Sequence, residues 1–218
     1  MARARYTFGA GAVEVIVADN GSTDNTTGIA AKRGCRIVDV APRIIAAVRN
    51  GGAAVAAGPF LAFVDADMQV HPDTFNAIDA ALADPSIVGG ATGIRTERSS
   101  AGIAVVFAIM RLFAVLTGVD AGVFFCRRED FEQIGGYDER RSAAEDVDLI
   151  LRIKRLGKSR GQRLTRVTAA RAVYSTRKFD QFGDWHCVTL GARIIWTRAW
   201  RPGARSAVVR QYWYDHRG

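Results

Sequence analysis

Three acidic clusters stand at loop or helix starts in this chain of 218 residues: Asp19, Asp65-Ala66-Asp67, and Glu145-Asp146 with Asp148. Two carboxylates one residue apart repel each other, and a divalent cation relieves the repulsion. Hard oxygen ligands of this kind suit Mg²⁺ or Mn²⁺ bridging to a diphosphate. A bare acid-x-acid pattern is met equally well if Asp65 caps the following loop and Asp67 stays solvated. Glu145, Asp146 and Asp148 fall in the first turn of a predicted helix, where the helix dipole favours negative charge. Capping alone accounts for them; the chemical alternative is a general base that takes a proton from an attacking hydroxyl.

Those clusters need elements to place them. VEVIVA (13–18) is a β-branched run emptying into the turn formers Asp19-Asn20-Gly21-Ser22, which predicts a buried strand followed by a loop. Thr23-Asp24-Asn25 predicts a helix start, Gly34 its stop, and 35–40 a second strand. The pattern repeats with a helix over 43–57 and a strand FLAFV over 60–64. Further on, 72–83 predicts a helix and 87–94 a strand softened by Gly89 and Gly90. The apolar stretch 101–117 predicts a buried or interfacial helix, since it is too short to cross a bilayer and carries Arg111. Residues 121–126 predict a strand, 128–134 and 145–156 helices, the latter ended by Gly157. The region 163–174 predicts a strand, and 183–200 a helix stopped by Pro202. Strands alternating with helices imply an α/β fold with a mostly parallel sheet flanked by helices.

Composition bounds the class. With 24% charged and 49% apolar residues, the chain is neither fibrous nor disordered. It predicts one domain over 1–218, with 176–218 as a basic helical tail. Cys35, Cys126 and Cys187 stand far apart, so neither a disulfide framework nor a zinc site is indicated. A reducing, cytoplasmic location is the expectation, with no secretory signal at the start. Residues 1–149 carry 14 Lys and Arg against 19 Asp and Glu, whereas 150–218 carry 16 against 3. The basic end predicts an anionic partner, whether phosphate, an anionic lipid surface or nucleic acid. No recognition-helix or RNA-motif signature accompanies the charge, so nucleic acid is not expected. The segment ARIIWTRAWR (192–201) mixes Trp and Arg as interfacial helices do, and peripheral contact with the inner face of a membrane is the expectation; a solvated basic face with core tryptophans fits it equally. His71, in His71-Pro72-Asp73, is expected to belong to a helix-start turn, and His186, without a spaced partner, to be structural.

Four stretches, VIVADNGSTDNT (15–26), AAVRNGGAAVAAGPFLAFVDADMQVHPDTF (46–75), GVFFCRREDFEQIGGYDE (122–139) and AEDVDLILRIKRLG (144–157), resemble in order and spacing the family 2 inverting nucleotide-sugar glycosyltransferases of GT-A fold. The resemblance implies a GT-A-like, Rossmann-like sheet, N-terminally truncated because the family's first strand–helix unit has no counterpart before Val13. By position it implies that Asp19, Asn20, Arg49 and Asp65 bind the nucleotide and that Asp67 is the metal ligand. It also implies that Asp146 is the catalytic base, with Glu145 positioning acceptor or donor, and that 1–100 is the nucleotide-sugar-binding part and 101–175 the acceptor and catalytic part. The implied reaction moves a sugar from a nucleoside diphosphate sugar to an acceptor hydroxyl with inversion, using Mg²⁺ or Mn²⁺. A different reading, which the truncation supports, is a non-catalytic remnant acting as a binding or partner protein.

Overall fold

The structure is a computed structural model that describes residues 13–118, 120–141 and 144–189. Two compact units emerge, one from 1–95 with 118–174 and the other from 96–117 with 175–218.

In the first unit, β1 (Ile16–Asp19) pairs in parallel with β2 (Arg36–Asp39), joined by α1 (Thr26–Lys32). Gly34, at φ 74°, makes the turn between helix and strand that a side chain would strain. The helix α2 (Ile45–Ala54) leads to β3 (Phe60–Phe63). Glu14, just before β1, accepts hydrogen bonds from the Ala57 and Gly58 N–H groups, at 2.5 and 2.9 Å, and so ties the start of β1 to the approach to β3.

The main sheet contains β3, β5 (Ile87–Ala91), β7 (Phe124–Arg127) and β8 (Arg163–Arg166), in the order β3-β7-β5-β8. A short sheet of β4 (Met68–Gln69), β6 (Ile94–Thr96) and β9 (Ala172–Tyr174) has the order β4-β9-β6. The α/β class holds, but the strands are not mostly parallel. β7 runs antiparallel to both β3 and β5, and β4 antiparallel to β9, leaving β1–β2 and β5–β8 as the parallel pairs described. The apolar run at 123–126 has the look of a parallel strand because both faces are covered, and covering both faces does not depend on strand direction.

Those faces alternate with a period of two. Phe124 and Cys126 join Leu61, Val88 and Tyr137 in one cluster, under α5 (Arg128–Gln133) and α6 (Glu145–Ser159). Val123 and Phe125 join Ile78, Leu82 and Ala172 in the other, on the side of α3 (Thr74–Ala83). Gly90 lies where three strands approach: a Cβ there would sit 2.3 Å from the Thr165 carbonyl oxygen and 2.8 Å from the Phe125 ring. Glycine at this place permits close packing rather than softening the strand. Gly157 likewise does not stop α6, which continues to Ser159; a Cβ there would meet Val88 at 2.6 Å. The predicted strand over 87–94 divides at Gly93, which adopts φ 69°, and the one over 163–174 divides at a 3-10 turn, Thr168–Ala170.

The second unit contains α4 (Ala101–Thr117), with the predicted bounds, and α7 (Arg177–Phe182). Arg98 reaches Asp180 and Asp184, each at 2.6 Å, and Gly102 leaves room for the Asp184 backbone, which a Cβ would meet at 2.6 Å. A further helix begins at His186; most of the predicted 183–200 helix, including Trp196, Trp200 and Arg193, lies outside the described residues. Among the described residues no helix is long and apolar enough to cross a membrane.

Candidate functional site

One side chain gathers the acidic residues of two elements. Arg49, on the second turn of α2 that its apolar neighbours Ala46 and Ala47 bury in the core, is itself only 15% exposed. Its guanidinium bonds Asp65 at 2.6 Å, bonds Asp146, and stands 3.5 Å from Glu145. The face of the Tyr137 ring lies 5.2 Å from it, a cation–π contact. Asp65 follows β3, whereas Glu145 and Asp146 open α6, so the fold converts three remote stretches into one charged cluster. A planar guanidinium suits this role because its fork can serve several carboxylates at once.

The next residue locks the arrangement. Asn50 accepts a hydrogen bond from the Tyr137 N–H at 2.8 Å and donates to the Tyr137 carbonyl at 3.0 Å and to Glu139 at 2.8 Å. The loop holding Tyr137 is therefore stapled to α2 beside Arg49. Tyr137 is 2% exposed and packs edge-on to Phe63 and Phe131. Neither Asn50 nor Tyr137 is singled out by residue type; the signal was their presence in the quoted stretches 46–75 and 122–139, where polar residues interrupt apolar runs.

Electrostatics follow from the packing. Burial pushes the Tyr137 hydroxyl far above its ordinary range, against the opposing pull of Arg49. Burial pulls on Arg49 in the opposite sense, but Tyr137, Asp146 and Asp65 outweigh it and keep the guanidinium charged. The Glu145 carboxyl is held above its ordinary value, chiefly by burial, with the neighbouring Asp146 adding to the effect.

The remaining sequence-derived residues are placed differently. Asp19 closes its own loop, accepting from the Gly21 and Ser22 N–H groups at 3.2 Å and from the Ser22 hydroxyl, which with the backbone donors lowers its pKa. Asn20 donates to the Val40 and Pro42 carbonyls at 2.6 and 2.9 Å, joining the loops after β1 and β2. Asp67 is exposed and makes no hydrogen bond or ion pair among the described residues. The loop-capping alternative for Asp65 does not describe its side chain, which Arg49 engages. At the start of α6 no side chain caps the helix; Ala144 there is left-handed, at φ 58°, and Asp148 pairs with Arg141 and Arg152. His71 accepts from the Asp73 N–H at 3.2 Å, and His186 packs edge-on to Phe179.

No group of three His, Cys, Asp or Glu residues positioned to hold a metal occurs among the described residues. The donor set is nevertheless compatible with Mg²⁺ or Mn²⁺, which are commonly held by one or two carboxylates with phosphate oxygens and water completing the shell. Asp67, exposed and without a partner among the described residues, is the carboxylate suited to that part.

The family model for glycosyl transferase family 2 matches residues 4–135. No curated protein matches the chain. Among solved structures, a mannosyltransferase from Pyrobaculum calidifontis in complex with GDP-Man and Mn²⁺ is 21% identical, with TM-score 0.57 over 74% of this chain and 47% of that one. TarS from S. aureus is 16% identical, with TM-score 0.61 over 78% of this chain and 53% of that one. Glucosyl-3-phosphoglycerate synthase from Mycobacterium tuberculosis, solved with Mn²⁺, uridine-diphosphate and glucosyl-3-phosphoglycerate, is 18% identical, with TM-score 0.55 over 78% and 63%. The chain thus aligns with only about half to two thirds of each of these proteins, and the likeness bears out the GT-A-like fold.

Proposed function

Because the chain belongs to glycosyl transferase family 2, we propose that it transfers a sugar from a nucleoside diphosphate sugar to an acceptor hydroxyl, with inversion and with the aid of a divalent cation. The observation that carries this reading is the convergence of Asp65, Glu145 and Asp146 on Arg49. Glycosyl transfer of this type needs a carboxylate for the acceptor proton beside the residues that hold a nucleotide, and the cluster supplies both from distant stretches.

In this reading Asp146 takes the proton of the acceptor hydroxyl. The acceptor oxygen bonds the anomeric carbon as the bond from that carbon to the diphosphate oxygen breaks, and the electron pair leaves with the nucleoside diphosphate. Attack opposite the leaving group inverts the anomeric centre. Asp67 would hold the Mg²⁺ or Mn²⁺, which when bound neutralises charge on the departing diphosphate. Asp19, Asn20, Arg49 and Asp65 face the nucleotide, while Glu145 orients donor or acceptor beside the base. The Mn²⁺ in two of the solved relatives supports the cation assignment. The basic tail contributes peripheral membrane contact.

Calorimetric titration of the chain with UDP, GDP and dTDP, each with and without Mn²⁺, tests the proposal. Metal-dependent binding of at least one nucleotide that Asp67→Ala weakens is the expected result. No binding to any of them rejects it in favour of a non-catalytic partner protein.

A further inference from the structure

The C-terminal half of α4 is bare on most of its circumference. Ile109, Leu112 and Val115 are 58%, 60% and 72% exposed, and Val105, Met110 and Phe113 are exposed as well. At 3.6 residues per turn these six side chains step around more than half of the helix. The N-terminal half, by contrast, is fastened within its own unit through Gly102, the buried Ile103 and the Arg98 pairs with Asp180 and Asp184. A helix apolar over so wide an arc is normally buried in a core or in lipid.

The composition of the same unit indicates what covers it. Residues 96–117 and 175–218 carry ten Lys and Arg against four Asp and Glu. Two of those four acids, Asp180 and Asp184, share Arg98 as their partner. Trp185, in this unit, is 51% exposed, and the sequence after it holds the other three tryptophans of the chain. Wide apolar surface, tryptophan and excess positive charge together are what an anionic lipid surface selects. A second copy of the unit would bring the same positive charge against itself. Seventeen residues give a helix of about 26 Å, shorter than the ~30 Å hydrocarbon core, and Arg111 interrupts it, so the helix is suited to lie in the interface rather than to cross it.

We infer that the exposed apolar half of α4, centred on Ile109, Leu112 and Val115, is a docking surface for an anionic lipid bilayer. This deepens, and rests on, the reading that the basic tail makes peripheral membrane contact, and it adds an apolar anchor that charge alone would not reveal.

Flotation of the full chain with vesicles of equimolar phosphatidylglycerol and phosphatidylcholine tests it. Binding is expected, weaker to phosphatidylcholine alone. The double variant Ile109→Glu, Leu112→Glu should lower partitioning at least about tenfold with an unchanged Tm, since both positions are exposed. Unchanged partitioning of that variant, or no binding of the parent chain to either vesicle, overturns the inference. So does a concentration-dependent dimer, seen by sedimentation without vesicles, that the double variant dissolves. If Arg193, Arg198 and Arg201 changed together to Gln abolish binding while the α4 variant retains it, the tail contact stands and the α4 anchor falls. Nucleotide titration of the same variants keeps the glycosyltransferase reading separately testable.

Discussion

Arg49 and Asp146, 97 positions apart in sequence, are joined by a direct hydrogen-bonded ion pair. The carboxylate assigned to proton abstraction is therefore engaged by a guanidinium that also bonds Asp65 at 2.6 Å. A carboxylate so engaged is held in a fixed orientation. Loss of the Asp146 charge should therefore strike turnover rather than donor binding.

Asp146→Asn keeps shape and hydrogen-bonding capacity while removing the proton acceptor. Its kcat should fall by about 10²- to 10⁴-fold, with nucleotide affinity by calorimetry nearly unchanged. Parallel loss of both would mean that Asp146 helps hold the donor and is not the base.

Arg49→Met removes the shared cation and leaves Asp65, Glu145 and Asp146 to repel one another. The expected loss of stability is about 2 kcal/mol, combining the contact with Tyr137 and partly exposed ion pairs. Arg49→Lys should recover little of it, because a point charge does not reproduce the fork that reaches two carboxylates. Urea denaturation of the three proteins provides the comparison.

Glu145 gives a pH signature. Burial holds its carboxyl above the ordinary value of 4.5, so the folded chain binds this proton more tightly than the unfolded chain does. The resulting stability is fully present below the unfolded value and is lost as pH rises through the folded one. Glu145→Gln mimics the protonated form. Its Tm should match the parent's at about pH 4 and exceed it near pH 7; equal Tm values at both would show that the carboxylate is paid no such penalty.

Gly90→Ala places a methyl group 2.3 Å from the Thr165 carbonyl oxygen, between β5 and β8. Backbone on one side and the buried Phe125 ring on the other leave little room to yield, and overpacking of this kind costs about 1–3 kcal/mol. A lowered denaturation midpoint with an unchanged m-value is the expected result.

Much of the local structure was legible in the sequence because its causes are local. Turn formers after VEVIVA, Gly34, and Asp24, which accepts from the Thr26 N–H at the start of α1, act over a few positions, and α4 has the bounds that its apolar run predicted. The candidate acids were legible by type and by their place after a strand or at a helix start. The direction of β7, the short strand β4 and the structural need for glycine at 90 and 157 were not, because each depends on a neighbour far away in the chain.

The sequence by itself determined an α/β chain with carboxylates at the ends of its elements, since periodicity and turn chemistry are properties of consecutive residues. Tertiary structure decided which of them meet. It set Arg49 among Asp65, Glu145 and Asp146, laid Tyr137 against it through Asn50, and kept Asp19 within its own loop. The physical reason is that charge pairing and burial act through space: a guanidinium selects its carboxylates by distance after the core has packed, and no spacing along the chain encodes that distance.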